Sequence, residues 1–189
     1  MYIFGGKDIG AGHLNNLWML DLEYQERFIN GESEYMENPE WELIKTVGKL
    51  QPKPICNHSS VIFGDKMYLY GGSSPSQDKP TFFSLDFGRQ YKWEVVNAKA
   101  KDNNEENLPH CYATNEMGQV NYTTTTHDEH SCCLYGESMI IFGGFTVDGV
   151  RTNDMFQFHF RENLWEKILS EGEDMPCPRA GHSAAVKYD

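Results

Sequence analysis

The densest group of residues able to do chemistry is His127-Asp128-Glu129-His130. Imidazoles and carboxylates together are possible ligands of a metal ion. On a strand, successive side chains point to opposite faces. His127 would then share a face with Glu129, and Asp128 with His130, a spacing that does not gather four ligands. No metal site is expected there. His130 also stands at a position shared by His58 and His182, which points to a structural role, bonding neighbouring backbone. Gly10-Ala11-Gly12 lacks the following helix and the Lys-Ser/Thr of a phosphate cradle, so a hairpin turn is expected. Spacing alone assembles no Ser–His–Asp or Cys–His triad. The five cysteines are odd in number, with Cys132 and Cys133 adjacent and none at metal-site spacing. Reduced thiols in a cytoplasmic compartment are expected. The sequons at Asn57 and Asn121 are chance-level matches, and glycosylation is not expected.

These residues are carried by a repeat. Three apolar runs end in a glycine pair: Met1 to Gly5-Gly6, Met67 to Gly71-Gly72 and Met139 to Gly143-Gly144. Such a run, stopped by a turn signal, reads as a strand buried on both faces. A second run follows at Leu17–Leu22, Phe82–Phe87 and Met155–Phe160. A third is led by Trp41, Trp93 and Trp165, and a fourth is centred on His58-Ser59, His130-Ser131 and His182-Ser183. From first glycine to tryptophan is 36, 22 and 22 positions, from tryptophan to histidine 17, 37 and 17, and from histidine to the next glycine pair 13. The unit is 52 residues, with 14 extra before Trp41 and 20 extra before His130. Four strands in about 50 residues is the pattern of a propeller blade.

Here the chain resembles the kelch repeat family. The matching features are the glycine pair after an apolar strand, the lead Asn153-Asp154-Met155-Phe156, the spaced tryptophan, and Pro178-Arg179-Ala180-Gly181-His182-Ser183. There are departures: Ile55 and His127 stand at the position of Arg179, and Asn57 and Glu129 at that of Gly181. The resemblance implies an all-β, kelch-type propeller of four-stranded blades and a non-enzymatic scaffold or adaptor. Partners of substrate-adaptor, cytoskeletal, ciliary or vesicle-traffic type are implied. One repeat segment is expected over 1–189, with repeats of about 1–64, 65–136 and 137–189 and insertions of about 24–38 and 99–121. The alternative is a metal-dependent propeller enzyme similar to galactose oxidase (copper) or the plant specifier proteins (iron). No tyrosine–cysteine pair is marked for the first, and no histidine has Asp at minus four and Glu at minus eight for the second. No cofactor is expected.

Naming the strands of a blade a to d from the axis outward, the chain opens on strand b and closes on strand a, around Gly181 to Tyr188. Three blades do not close a ring, which takes about 4–8. Further blades are expected, in the same polypeptide or in another chain. One form is a symmetric dimer of three-blade halves, each completing the other's first blade. No secretory signal or membrane span is expected. The formal net charge of -12 argues against nucleic acid and anionic membranes and for a protein partner with a basic patch.

Alternation of strands puts the b–c and d–a loops on one face. That face is expected to bind the partner through Lys7, Asp8, His13, Gln77, Asp78, Lys79, Asp148 and Arg151. The 99–121 insertion joins it, with sticky residues Leu108, His110, Cys111, Tyr112 and Met117. The opposite face holds the tight turns Gly64-Asp65 and Gly136-Glu137 and an acidic loop with Glu26, Glu32, Glu34 and Glu37, expected to be solvated. The glycine pairs, the tryptophans, the three histidines and Arg179 are expected to be structural. Trp18 is expected to pack as well.

Overall fold

Runs of β-branched and aromatic residues, cut by glycines and polar pairs, become strands along the whole chain. The structure is a computed structural model that describes all residues except 23–25, 30–31, 36–38, 77–81, 110–112, 115–119, 122–126, 147–148, 171, 173 and 188–189. In chain order the strands are β1 (Tyr2–Phe4), β2 (Lys7–Asp8), β3 (Gly12–His13), β4 (Leu17–Leu20), β5 (Glu26–Ile29), β6 (Glu32–Tyr35) and β7 (Trp41–Ile44). Next come β8 (Ser59–Phe63), β9 (Lys66–Tyr70), β10 (Phe82–Asp86), β11 (Lys92–Val95) and β12 (Lys99–Ala100). The last are β13 (Ala113–Thr114), β14 (Val120–Asn121), β15 (Ser131–Tyr135), β16 (Ser138–Phe142), β17 (Met155–His159) and β18 (Leu164–Ile168).

The fold is all-β, built on three main sheets in which sequence neighbours pair antiparallel. The first is β1-β4-β7, the second β8-β9-β10-β11, and the third β15-β16-β17-β18 with β12 added in parallel outside β18. The tight turns between β8 and β9, and between β15 and β16, place Gly64 and Gly136 at φ 58° and 56°. Only glycine takes that conformation without steric cost. Trp41–Ile44 and Met139–Phe142 are strands, as the repeat requires. Glu26–Ile29 and Glu32–Tyr35, within the segment expected to be a loop, are the antiparallel strands β5 and β6.

The sheets stack through two apolar layers. Phe4, Leu17 and Ile44 of the first sheet and its flank meet Leu69, Phe83, Leu85 and Trp93 of the second. Tyr70 and Phe82 of the second meet Met139, Ile141, Phe156, Phe158 and Trp165 of the third. Truncating one such buried aromatic typically costs about 3–5 kcal/mol. Trp93 and Trp165 are 2% and 0% exposed, whereas Trp41 at the same repeat position is 46% exposed. The reason is local: among the described residues no sheet packs on the outer face of the first sheet. Trp18 lines the resulting open hollow with Ile3 and Trp41. The expected closing strand is also missing, since residues 181–187 form no strand.

Candidate recognition surface

Main-chain hydrogen bonds bring the b–c loops and the sheet-to-sheet segments to one end of the stack. Gly6 N–H donates to Ile55 O (2.8 Å), Gly72 N–H to His127 O (3.0 Å) and Gly144 N–H to Arg179 O (2.8 Å). In return Ile55 N–H donates to Leu14 O and Arg179 N–H to Thr152 O. The departures at the arginine position are thereby explained. The backbone makes this joint, whichever of Ile55, His127 or Arg179 stands there. Each side chain goes its own way: Ile55 enters the first apolar layer, His127 lies edge-on to Phe156, and Arg179 is exposed and bonds Cys177.

The glycine position follows the same logic. Asn57, Glu129 and Gly181 all have positive φ, at 58°, 57° and 67°. Glu129 N–H donates to Asn57 O, and Gly181 N–H to Glu129 O. The three residues form a main-chain ladder crossing the sheets. The histidines bond in a way the sequence did not disclose. His130 Nε2 pairs with the Ser59 hydroxyl at 2.6 Å and its Nδ1 with His127 O, while His182 Nε2 pairs with the Ser131 hydroxyl at 2.9 Å. His130 and His182 therefore each reach a serine side chain of the preceding sheet. The signal was present as the serine following each histidine. Burial holds the His130 imidazole down to about 3, aided by the charge of His127. Burial also lowers His58 and His182.

Lys7, Asp8 and His13 come together in the small hairpin β2–β3, where Lys7 pairs His13. Asp8 is first a turn former. Its carboxylate accepts N–H from Gly10 and Ala11 at 2.8 and 2.7 Å, and these bonds lower its pKa. The signal for this was Asp8 followed by Gly10, the pattern of an Asx turn. His13 acts electrostatically on Asp128, whose carboxyl is raised by burial and bonded by Asn57. Arg151 lies in another loop, its guanidinium 5.0 Å from the Phe145 ring centroid. Gln77, Asp78, Lys79 and Asp148 lie outside the described residues. Among the described residues no three His, Cys, Asp or Glu side chains could together hold a metal ion. Cys56, Cys132, Cys133 and Cys177 are free, and burial pushes the Cys132 thiol up to about 12.

The first part of the 99–121 insertion runs along the outer edge of the third sheet instead of standing free. Lys99 N–H donates to Asn163 O. Lys101 pairs with Glu166 at 2.5 Å, and the Asn107 side chain accepts from Lys167 N–H and donates to Lys101 O. Leu108 packs on the second apolar layer, and Pro109 is fully buried. Covering an outer strand in this way removes an unpaired edge. His110, Cys111, Tyr112 and Met117 lie outside the described residues. The same joint occurs one sheet earlier. Val47 bridges Lys92 in parallel, as Lys99 bridges Leu164, each six positions after its tryptophan.

No family model matches the chain. It is 29% identical over 139 residues to the Rho GTPase-activating protein gacHH of Dictyostelium discoideum, covering 71% of this chain and 8% of that one. It is 32% identical over 75 residues to Kelch repeat-containing protein 2 of Saccharomyces cerevisiae, covering 40% of this chain and 7% of that one. It is 21% identical over 192 residues to an F-box/kelch-repeat protein of Arabidopsis thaliana, covering 97% of this chain and 33% of that one. The chain thus spans at most a third of the length of these relatives. Its likeness, at modest identity, is to proteins that include two named for the kelch repeat, in accord with the resemblance read from its motifs.

Proposed function

We propose that the chain is a segment of a kelch-type β-propeller that serves as a non-enzymatic protein-binding scaffold, at work in the cytoplasm. The observation that carries this reading is the main-chain anchoring of the loop end. Gly6, Gly72 and Gly144 hold the loops by backbone bonds, and Lys7, Asp8 and Arg151 stand exposed on them. A rigid stack with variable loops suits recognition. The relatives named for kelch repeats support an interaction role. The partner surface in this reading is the loop end, from Lys7, Asp8 and His13 through Gln77, Asp78 and Lys79 to Asp148 and Arg151. A net charge of -12 favours a partner with a basic patch, so capture should weaken with salt.

The test compares two variants in affinity capture followed by mass spectrometry. One carries alanine at Asp78, Lys79, Asp148 and Arg151, and the other lacks residues 26–37. Loss of the captured partner with the first alone supports the reading. Loss with the second alone, at full binding by the first, overturns the choice of surface. Stoichiometric copper or iron in the purified protein would favour the enzyme alternative instead.

A further inference from the structure

A cleft opens where the connector from β7 to β8 passes between the first and second sheets. Its walls come from the middle of the chain: Lys49, Leu50, Pro52 and Lys53 of the connector, Asn15 ahead of β4, and Phe83 of β10. Its volume is about 450 Å³, within the range of about 300–1,000 Å³ of small-ligand sites. The connector is held along its length. Val47 N–H donates to Tyr91 O, Val47 O accepts from Trp93 N–H, and Ile55 N–H donates to Leu14 O. The Thr46 hydroxyl donates to Gln51 Oε1 at 3.0 Å. Gly48 backs so closely on β11 that a Cβ there would lie 2.6 Å from Trp93 O.

The fold does not require the charge this connector carries. The connector after β18 repeats its framework. Gly172, Pro176 and Pro178 stand where Gly48, Pro52 and Pro54 stand. The Ser170 hydroxyl bonds Met175 as Thr46 bonds Gln51, and Arg179 N–H reaches Thr152 O as Ile55 N–H reaches Leu14 O. Yet residues 45–54 carry Lys45, Lys49 and Lys53 with no acid, whereas residues 169–178 carry Glu171, Glu173 and Asp174 with no Lys or Arg. One framework thus holds charge of either sign. Nor are the cleft lysines neutralised. Lys92, Lys101 and Lys167 each hold a carboxylate at 2.5–2.7 Å. Lys49 and Lys53 hold none among the described residues, in a chain with 28 Asp and Glu.

We propose that this cleft binds a phosphoserine-bearing peptide of a partner protein, with the phosphate between Lys49 and Lys53 and an adjoining apolar side chain against Leu50 and Pro52. Two ammonium groups on flexible stems suit a tetrahedral anion with three acceptor oxygens, whereas a carboxylate is best met by the planar fork of an arginine, which the connector lacks. The apolar half of the wall argues for a peptide over free phosphate: Leu50 is 57% exposed with no apolar cover, and the cleft is far larger than the anion alone. The concave shape and the net charge of -12 argue against an anionic bilayer, which the whole chain would repel. The cleft is thus a basic exception in an acidic chain, and it takes charge of the opposite sign from a basic partner surface.

This inference rests on the reading of the chain as a protein-binding scaffold, but not on the loop residues from Lys7 to Arg151. Its test uses small probes, so its failure is read apart from partner capture. Benzyl phosphate, a phosphate with one apolar ring, is titrated into the ¹⁵N-labelled chain. Saturable amide shifts centred on Asn15 and residues 48–53 are expected. Phenylacetate, the same ring on a carboxylate, and inorganic phosphate, the anion without the ring, should each bind about tenfold more weakly. The Lys49→Ala, Lys53→Ala double variant should lose the shifts, whereas Lys45→Ala, exposed but outside the cleft, should bind as the wild type does. Circular dichroism should show both variants folded, because all three side chains are exposed. A degenerate peptide library with a central phosphoserine should be retained by the wild type and released by phosphatase. Phenylacetate binding as tightly as benzyl phosphate would overturn the proposal in favour of an acidic peptide. Inorganic phosphate binding as tightly would remove the peptide. Shifts that survive in the double variant would place the contact elsewhere. Cosedimentation with phosphatidylinositol phosphate vesicles, lost in the double variant, would overturn the proposal in favour of a membrane.

Discussion

Gly71→Ala tests how tightly the sheets are joined. Gly71 has φ 68°, and a Cβ there would lie 2.5 Å from His127 O and 2.7 Å from His130 Cε1. A left-handed backbone costs an L-residue about 1–2 kcal/mol. The methyl then overpacks a joint whose nearest atom is main chain, at about 1–3 kcal/mol. If the carbonyl retreats, the 3.0 Å bond from Gly72 N–H weakens, a further loss of up to about 1 kcal/mol. Reduced freedom of the unfolded chain offsets about 0.4–1 kcal/mol. The expected net loss is about 3–4 kcal/mol. Gly64→Ala is the control: φ is 58° but no atom lies within 4 Å of its Cβ, so only about 1 kcal/mol should be lost. Urea unfolding at constant m-value reads both. Equal losses at the two sites would show that the joint yields freely and would refute the reasoning.

Stability should fall as pH drops from about 6.5 toward 3. The unfolded chain binds a proton at its histidine below about 6.5, whereas buried His130 resists protonation down to about 3. Stability is therefore complete above pH 6.5 and declines across that window, with a slope approaching about 1.4 kcal/mol per pH unit from this group. His130→Gln should flatten the slope in urea titrations at several pH values, and an unchanged slope would remove His130 as its cause. Glu129→Gly should stabilise by up to about 1 kcal/mol, because relief of a φ of 57° outweighs the added freedom of the unfolded chain; a lower melting temperature would contradict this. Asn107→Ala removes an acceptor for Lys167 N–H and a donor to Lys101 O. It should cost about 1–2 kcal/mol and speed hydrogen exchange at the Lys167 amide, and unchanged exchange there would show that the insertion does not protect the edge.

What the sequence made legible was whatever is local. The strands ending at Gly5, Gly71 and Gly143, and those led by Trp93 and Trp165, show in their short apolar runs, each stopped by a turn signal or led by a spaced tryptophan. The pairing of β5 with β6 was hidden because Glu26-Arg27-Phe28-Ile29 and Glu32-Ser33-Glu34-Tyr35 show no period-two apolar alternation and so read as an acidic loop. The strand β12 is only Lys99-Ala100, too short and polar for any periodicity to reveal. Exposure of Trp41 was not legible at all, because burial depends on a neighbour and not on the residue. At the candidate surface, loop positions could be read from strand alternation. The serine partners of the histidines and the backbone identity of the joints depend on contacts between segments up to 71 positions apart.

The parallel bridges at Val47 and Lys99 bear on where one repeat can be cut from the next. In the second and third sheets the outermost strand borrows its last neighbour from the segment that follows the preceding tryptophan strand. A graft or deletion cut just after Ile44 or Val95 would strip Lys92 or Leu164 of that neighbour and leave a ragged outer seam. Cuts placed after Val47 or after Ala100 would keep the seam whole, so the transferable module of this chain is offset by several residues from the unit its glycines and tryptophans mark out.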